Sequence, residues 1–330
     1  MVLYVVRRLF SSVFVLLASS ILVFAMASSV ADPLAPLRTR QPPPTPEQMA
    51  NQAHLLGLDR PWYTRYLTWL GHAVRGDFGN DLGGNPISRS LWEHLSLTLR
   101  LIIASMILAV LLAIAVGVLT AVRKNKLSDY VATTVGYMLI ALPTFWFATL
   151  LKEFGAIQIN NLFFGGRQVI FVFGVETPGL KSYGTASQIF WDQVGHMVLP
   201  VLSLAALSYA AWSRFQRASM LDVLGSDYIR LARAKGLTYG RVLIRHGLRN
   251  ALIPLTTVVA LGVGGLLGGA VITETVFGWN GMGQYLLDAI KHSDQNILLA
   301  WLLVSASFVI AFNLVADLMY AVLDPRIRLS

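Results

Sequence analysis

Six long apolar segments set the strongest constraint on how this chain can fold. A helix needs about 20 mostly apolar residues to cross a bilayer, and uninterrupted runs of that length are rare in soluble cores. The segments are Leu9–Val30, Leu101–Val122, Tyr130–Leu151, Val194–Trp212, Ala251–Ile272 and Ile297–Leu323. Only 13% of the 330 residues are charged, against about 25% in a soluble domain. The sequence therefore predicts an all-α, polytopic membrane protein with six transmembrane helices.

Two apolar stretches allow a second interpretation. Arg7 and Arg8 precede the first run, and residues 25–27 resemble a signal-peptide cleavage site. The run exceeds the roughly 7–15 apolar residues that a signal needs, so we expect a retained span, with a cleaved signal as the alternative. The stretch Phe154–Val175 is also apolar but is interrupted by Asn160, Gly165 and neighbouring polar residues. We expect an ordered external loop there, with room for short strands.

The basic residues predict the orientation in the membrane. With the N-terminus in the cytoplasm, the cytoplasmic segments carry 15 Lys and Arg residues and the short external loops carry 4. Such a bias is typical of membrane proteins, and it places both termini in the cytoplasm. It also explains the formal net charge of +9 without nucleic acid as a partner. The chain has no cysteine, which excludes disulfides and thiolate metal sites.

We divide the chain into residues 1–30 (N-terminus and first span), an external loop at 31–96, and a membrane core at 97–330. The loop begins with a Pro-rich stretch, in which we expect no regular helix. Leu55–Val74 carries several Trp and Tyr residues, which favour the membrane–water boundary, and we expect a short helix on the outer surface. Gly76–Asn85 resembles a turn. The loop is either a solvated connection with an aromatic anchor or a docking surface for an external partner.

The segment at 213–250 is the longest one expected in the cytoplasm. Ser226–Lys235 is predicted to form a helix that ends at Gly236, which occupies the position of a left-handed cap. Tyr239–Leu248 is predicted to form a second basic helix. Two short helices joined at a glycine form a stiff projection that a partner can move. The alternative is an amphipathic helix resting on anionic lipid, and the residues alone leave both interpretations open.

Motifs for catalysis and for independent energy coupling are missing from the sequence. No Gly-Lys dipeptide is present, so the chain has no Walker A phosphate-binding loop. We see no HExxH motif, no nucleophile elbow and no paired intramembrane carboxylates, and the six histidines have no ligand spacing. A secondary transporter would show internal repeats and broken helices with ionisable groups. The glycine-rich stretch Gly262–Gly269 favours close helix packing instead.

Ser226–Leu237 (Ser-Asp-Tyr-Ile-Arg-Leu-Ala-Arg-Ala-Lys-Gly-Leu) and Arg245–Pro254 resemble the cytoplasmic coupling motif of ABC importer permeases. The general motif opens with Glu-Ala-Ala, and Arg230 stands where its glutamate would be. The variant Ala-Arg-Ala-Lys-Gly-Leu is similar to that of the dipeptide, oligopeptide and nickel group. Further resemblances cover nearly the whole chain: Tyr4–Phe10, Leu56–Pro61, Trp69–Gly79, Leu142–Trp146, Gly268–Phe277, Gly281–Gly283, Asn313–Asp317 and Asp324–Arg326. Val30–Pro33 and the long loop at 152–193 depart from the family pattern.

The resemblance implies a type I ABC importer permease fold and a peptide-transporting subunit, with nickel as the alternative cargo. It implies four associations: a second homologous permease, a cytoplasmic ATPase, an external substrate-binding protein and the bacterial inner membrane. The chain itself would hold no cofactor, since ATP and Mg²⁺ would bind the partner subunits, and it would not be an enzyme. The residues expected to couple to the ATPase are Tyr228, Arg230, Ala232, Arg233, Ala234, Lys235, Gly236 and Leu237.

Two carboxylates near the ends of spans complete the candidate sites. We expect Asp317 to pair with a base at the cytoplasmic edge, because ionisable groups in a membrane are costly. Glu274 is predicted to lie near an external gate or a binding-protein contact, together with Phe277, Trp279 and Asn280. The alternative for Glu274 is an ordinary interfacial carboxylate.

Overall fold

The computed structural model describes residues 2–30, 34, 38, 42–55 and 57–323. The chain folds as helices joined by short connections, and the described part contains one isolated bridge, Asn80 to Pro86, and no strand. The helices are α1 (Val2–Val30), α2 (Pro46–Leu55), α3 (Trp62–Ala73), α4 (Ile87–Val122), α5 (Leu127–Ala141), α6 (Thr144–Lys152), α7 (Gln158–Phe164), α8 (Leu180–Tyr183), α9 (Ala186–Leu224), α10 (Asp227–Ala234), α11 (Tyr239–Arg241), α12 (Arg249–Phe277), α13 (Met282–Lys291) and α14 (Gln295–Leu323). Two π-helical segments, Glu153–Ile157 and Val242–Leu248, join α6 to α7 and α11 to α12.

The predicted spans are confirmed in number when one bent pair counts as a span. Within the described residues, five helical stretches are long and apolar enough to cross a membrane. They lie in α1, α4, α9, the helical run from Tyr239 to Leu266, and α14. A sixth span consists of Leu127–Ala141 and Thr144–Phe164, which meet at an angle of 109°. The expectation for Asp317 is not answered, because its side chain lies outside the described part, as do residues 324–330.

The third span was predicted as one continuous helix at Tyr130–Leu151, and that prediction was wrong. Pro143 has no amide proton and disfavours helical backbone at the residue before it. Leu142 accordingly has extended angles, φ −81° and ψ 134°. The helix therefore stops at Ala141, restarts at Thr144 and changes direction between them.

The chain divides into two compact units, and the first comprises residues 98–280 with the stretch from 312. Its core is formed by small and aliphatic side chains from α4, α9 and α12, among them Ala109, Ala205 and Leu255. Glycine allows these helices to approach closely: a Cβ on Gly262 would lie 2.9 Å from Trp212, and one on Gly117 would lie 2.7 Å from Gln216. The packing role predicted for the glycine-rich stretch is thus confirmed at Gly262.

An ion pair ties α5 to α9 in this unit. The Arg217 guanidinium donates two hydrogen bonds of 2.8 Å to the carboxylate of Asp129, from Nε and Nη2. The Asp129 side chain is almost fully buried, and it also accepts the backbone N–H of Asn125. Two-point pairing of this kind fixes the orientation of both side chains.

The external stretch after α6 was predicted as a loop with short strands, and the structure corrects this. Helix continues through Glu153–Ile157 and α7 as far as Phe164, and 165–179 contains no strand. Asn160 explains the compact turn that follows, because its side chain bonds the backbone of Val169 and Ile170. Farther on, Lys181 donates to Glu176 at 2.8 Å. This bond holds the pKa of the Glu176 carboxyl below its ordinary value despite partial burial.

The second unit comprises residues 2–97 and 281–311. The helix predicted within Leu55–Val74 is present as α3, and it packs Tyr66 and Trp69 against Phe24. Its place on the outer surface stays a prediction. The helix α2 was not predicted. It begins at the last proline of the Pro-rich stretch, where a missing amide proton costs nothing, and Thr45 and Gln48 bond each other's backbone at its start.

The loop after α13 is held by Asp294 in the same unit. One carboxylate oxygen accepts the N–H of Leu82 at 2.8 Å, and the other accepts the N–H of Ile297 at the start of α14. Tyr285 stacks on His94, with ring centroids 4.4 Å apart. Burial, together with the nearby carboxylates of Asp294 and Asp81, raises the pKa of the Tyr285 phenol to about 12. The phenol therefore stays protonated and neutral at physiological pH.

Gly278, which caps α12, gives the first testable prediction. It lies at φ 60°, and a Cβ there would lie 2.2 Å from the Phe173 ring. We expect Gly278→Ala to destabilise the protein by about 2 kcal/mol or more, since left-handed strain adds to a steric clash. Thermal unfolding in detergent measures this. The control is Gly268→Ala in the same helix, where a Cβ meets nothing within 4 Å; equal midpoints for the two variants would contradict the packing described here.

Candidate functional site

Residues 225–241 follow α9, include α10 and α11, and are called here the connector segment. It contains the eight residues predicted to couple to an ATPase. Its helix α10 buries one face: Ile229 is fully buried and Ala232 nearly so, both packed with Val242. Val223 and Leu237 complete this small core. The connector segment is therefore folded onto the helices beside it and is not a loose loop.

The other face of α10 is exposed and carries both aromatic and aliphatic surface. Tyr228 is 44% exposed and Leu231 is 57% exposed, and Tyr239 beyond the turn is 50% exposed. Large apolar side chains left open at one place mark a surface that another protein can cover. Tyr228 was predicted from the sequence. Leu231 and Tyr239 were not among the predicted residues. The signal for Leu231 was its place two residues after Ile229, on the opposite face of α10, whereas Tyr239 lies beyond the turn, where this periodicity gives no signal.

Basic side chains surround these apolar residues. Arg230, Arg233, Lys235 and Arg241 are exposed. Arg230 contacts Asp227 at 3.4 Å, with both side chains largely exposed, and such surface pairs contribute at most about 1 kcal/mol. Arg233 lies over the Tyr239 ring at 5.7 Å. These weak contacts leave the positive charge available to an acidic partner.

Gly236 makes the turn between α10 and α11. Its φ is 75°, and a Cβ at this position would meet no atom within 4 Å. The requirement for glycine is therefore conformational, because residues with a Cβ rarely adopt this backbone geometry. The predicted left-handed cap is confirmed.

The base of the connector segment corrects the prediction of a second separate helix at Tyr239–Leu248. Residues 239–248 are helical but continue directly into α12 through the π-helical segment. Gly247 lies against Met220 of α9, and Ser219 donates to the carbonyl of Ala251 at 3.0 Å. Within the connector segment, only α10 is a separate short helix, because residues from Tyr239 onward belong to the helical run that becomes α12.

The four residues predicted to lie near an external gate are at or just beyond the C-terminal end of α12, and three of them are buried. Glu274 is 0% exposed and accepts a hydrogen bond of 2.5 Å from the hydroxyl of Thr98. Phe277 and Trp279 are also buried, and Asn280 is exposed. The backbone of this turn is bonded on both sides, since Gly174 donates to the Phe277 carbonyl and Lys152 to the Val276 carbonyl. A contact between these residues and an external protein stays a prediction. Of the four, only Asn280 has a side chain that is exposed to such a partner in this conformation.

Within the described ranges, no group of three or more His, Asp and Glu side chains is arranged to hold an ion. Two histidines instead stack on aromatic rings: His94 on Tyr285 and His196 on Phe171, the latter with centroids 4.0 Å apart.

Comparison with known proteins gives full-length matches. The chain is 41% identical over 331 residues to the oligopeptide transport system permease protein OppB of Mycobacterium tuberculosis, covering 99% of each chain. It is 37% identical to the oligopeptide transport system permease protein AppB of Bacillus subtilis, covering 98% of this chain and 99% of the relative. It is 34% identical to the dipeptide transport system permease protein DppB of Escherichia coli, covering 98% of each.

Two family models match, in agreement with these relatives. The model for the N-terminal part of binding-protein-dependent transport system membrane components matches residues 1–86. The model for the inner membrane component itself matches residues 113–329, which includes the connector segment. The multi-pass helical fold described above agrees with such a role. This chain therefore belongs to the family of binding-protein-dependent transport system inner membrane components, the integral permeases of ABC importers.

Proposed function

We propose that the chain is the permease subunit of an ATP-driven importer of dipeptides or oligopeptides and forms half of its translocation pathway. The curated relatives, which match along their full length, are named for oligopeptide and dipeptide transport. These names favour peptide over nickel as the cargo. Membership of a binding-protein-dependent family argues against an ion-gradient-driven transporter.

The single observation that carries the coupling proposal is the connector segment. Tyr228 and Leu231, three residues apart on α10, and Tyr239 beyond the turn are exposed, as are basic side chains of the same segment. A complementary groove on an ATPase, apolar in the centre and acidic at the rim, would cover both. Buried aromatic anchors contribute most of the affinity in such contacts, and the charges at the rim contribute chiefly to the rate and specificity of association.

Transport then follows from a shift between two states. ATP binding and hydrolysis, with Mg²⁺ on the ATPase, would change how that subunit holds α10. A ligand moves an equilibrium only through contacts that differ between the states. Because α10 is packed on Val242 and is joined to α9 and α12, its displacement would reach the helices that line the pathway. This chain would supply no catalytic residue.

The remaining partners follow from the same assignment. A second homologous permease would complete the pathway, and an external substrate-binding protein would deliver the peptide. The proposed location is the bacterial inner membrane with both termini in the cytoplasm. In this orientation, α3 and the turn around Asn280 face the outside, where the binding protein docks.

Gly236→Val tests the turn of the connector segment. Valine is β-branched, and holding it at positive φ costs about 2 kcal/mol, so the turn is expected to change shape. We expect peptide uptake and peptide-stimulated ATPase activity of the assembled importer to fall by tenfold or more, with the amount of inserted protein unchanged. Gly240→Val is the matched control, because Gly240 also has open space around it but no positive φ. Equal uptake by the two variants would count against the role of the turn.

Crosslinking tests the contact directly. The native chain has no cysteine, so Leu231→Cys provides a single thiol. With a short thiol-to-amine reagent we expect an adduct between this chain and an ATPase subunit in intact membranes. Leu127→Cys is the control, since Leu127 is more exposed than Leu231 and lies outside the connector segment. If Leu231→Cys reacts with lipid alone, the coupling proposal is wrong.

A topology reporter tests the orientation. We expect a reporter fused after Ser330, which lies outside the described residues, to report a cytoplasmic location. We expect one inserted between Gly83 and Gly84 to report an external location. The reverse pattern would overturn the sidedness while leaving the family assignment intact.

A further inference from the structure

A basic pocket opens between α5 and α9, close to the start of α5. Its volume is about 410 Å³, and Tyr137, Arg214, Phe215 and Arg217 are among the side chains that line it. It lies wholly within the first compact unit. The proposed function assigns no role to it, and it shares no residue with the connector segment.

The two arginines of the pocket are in different states. Arg217 is committed to Asp129 through Nε and Nη2. Arg214 is exposed and lies over the ring of Tyr137, with Cζ 4.3 Å from the centroid. Among the described residues, no carboxylate oxygen lies within 4.0 Å of the Arg214 guanidinium. The Arg214 guanidinium, two residues beyond the predicted span Val194–Trp212, is therefore left with an aromatic face but no carboxylate.

Part of the pocket's lining is apolar. On α9, Phe215 is exposed, and Ala211 and Ala218 also line the pocket. The occupant that fits is amphiphilic, with an anionic head at Arg214 and an apolar body along α9 at Phe215.

The pocket extends from Arg217, which is bonded to Asp129 near the start of α5, to Tyr137. Tyr137 lies ten residues after Leu127, about 15 Å along the helix. Basic pockets between transmembrane helices on the cytoplasmic side bind the head groups of anionic lipids.

We propose that this pocket binds an anionic phospholipid of the cytoplasmic leaflet, with its phosphate against Arg214. The N–H groups at the edge of the guanidinium donate hydrogen bonds to phosphate oxygens, which are its preferred acceptors. Tyr137 holds the guanidinium in place through its face. The choice of leaflet rests on the topology proposed above, whereas the class of ligand does not.

Lipid binding to the purified, intact chain tests the proposal. The probes are phosphatidylglycerol and phosphatidylcholine with identical acyl chains, and native mass spectrometry measures the dissociation constant of the first bound lipid. We expect the native chain to bind phosphatidylglycerol about fivefold more tightly than phosphatidylcholine, the effect of one basic residue near the surface. Arg214→Gln is expected to remove this preference, and Arg214→Lys to restore part of it.

Lys124→Gln is the matched control, because Lys124 is an exposed basic residue near the same helix end but outside the pocket. It is expected to keep the preference for phosphatidylglycerol within twofold. Equal binding of the two lipids by the native chain overturns the proposal, and this comparison needs no variant to fold. Equal losses in Arg214→Gln and Lys124→Gln also overturn it, since attraction would then be unspecific.

A third arm separates the lipid from the transported cargo. Glu-Phe dipeptide at millimolar concentration is expected to leave the bound phosphatidylglycerol in place. Displacement of the lipid from the native chain would indicate that the pocket is a binding site for peptide carboxylates, and it would overturn the lipid proposal. Binding is read from mass alone, so failure of peptide uptake, which bears on the proposed function, does not affect this result.

Discussion

Inside a bilayer every backbone N–H and C=O must find its partner within the protein, and the rest of this structure depends on that constraint. Because of this constraint, the apolar segments form helices. Proline and glycine then determine where these helices bend and how closely they pack. Pro143 turns the third span through 109°, and the segments on either side remain helical. Gly117 and Gly262 remove the side chains that would hold α4, α9 and α12 apart.

The same continuity of helix gives the connector segment its mechanical character. α10 contains only eight residues, too few to be stable alone in water, and it exists because Ile229 and Ala232 are buried against Val242. That small core joins α10 to the helical run that becomes α12. The surface offered to a partner and the lever that it would move are therefore parts of one packed element.

The charged side chains of this protein fall into three groups with different environments. Asp129 and Arg217 neutralise each other where α5 meets α9. The basic residues of the connector segment make only weak contacts, and none of them is paired as Arg217 is with Asp129. They remain available for an acidic partner. Arg214, with an aromatic ring as its neighbour, is suited to an anion from outside the chain. A single net charge of +9 describes none of these environments.

The sequence by itself determined the number of membrane spans, the helix at Asp227–Ala234 and the turn at Gly236. Transfer of some 20 apolar residues into lipid, or a positive φ after a helix, depends on the local segment alone. Only the tertiary structure decided that Glu274 is buried, because its partner Thr98 lies 176 residues away. It also decided that Tyr239–Leu248 joins α12 and that Glu153–Phe164 stays helical. These outcomes depend on packing against Met220 and on the loop held by Asn160, which no local pattern encodes.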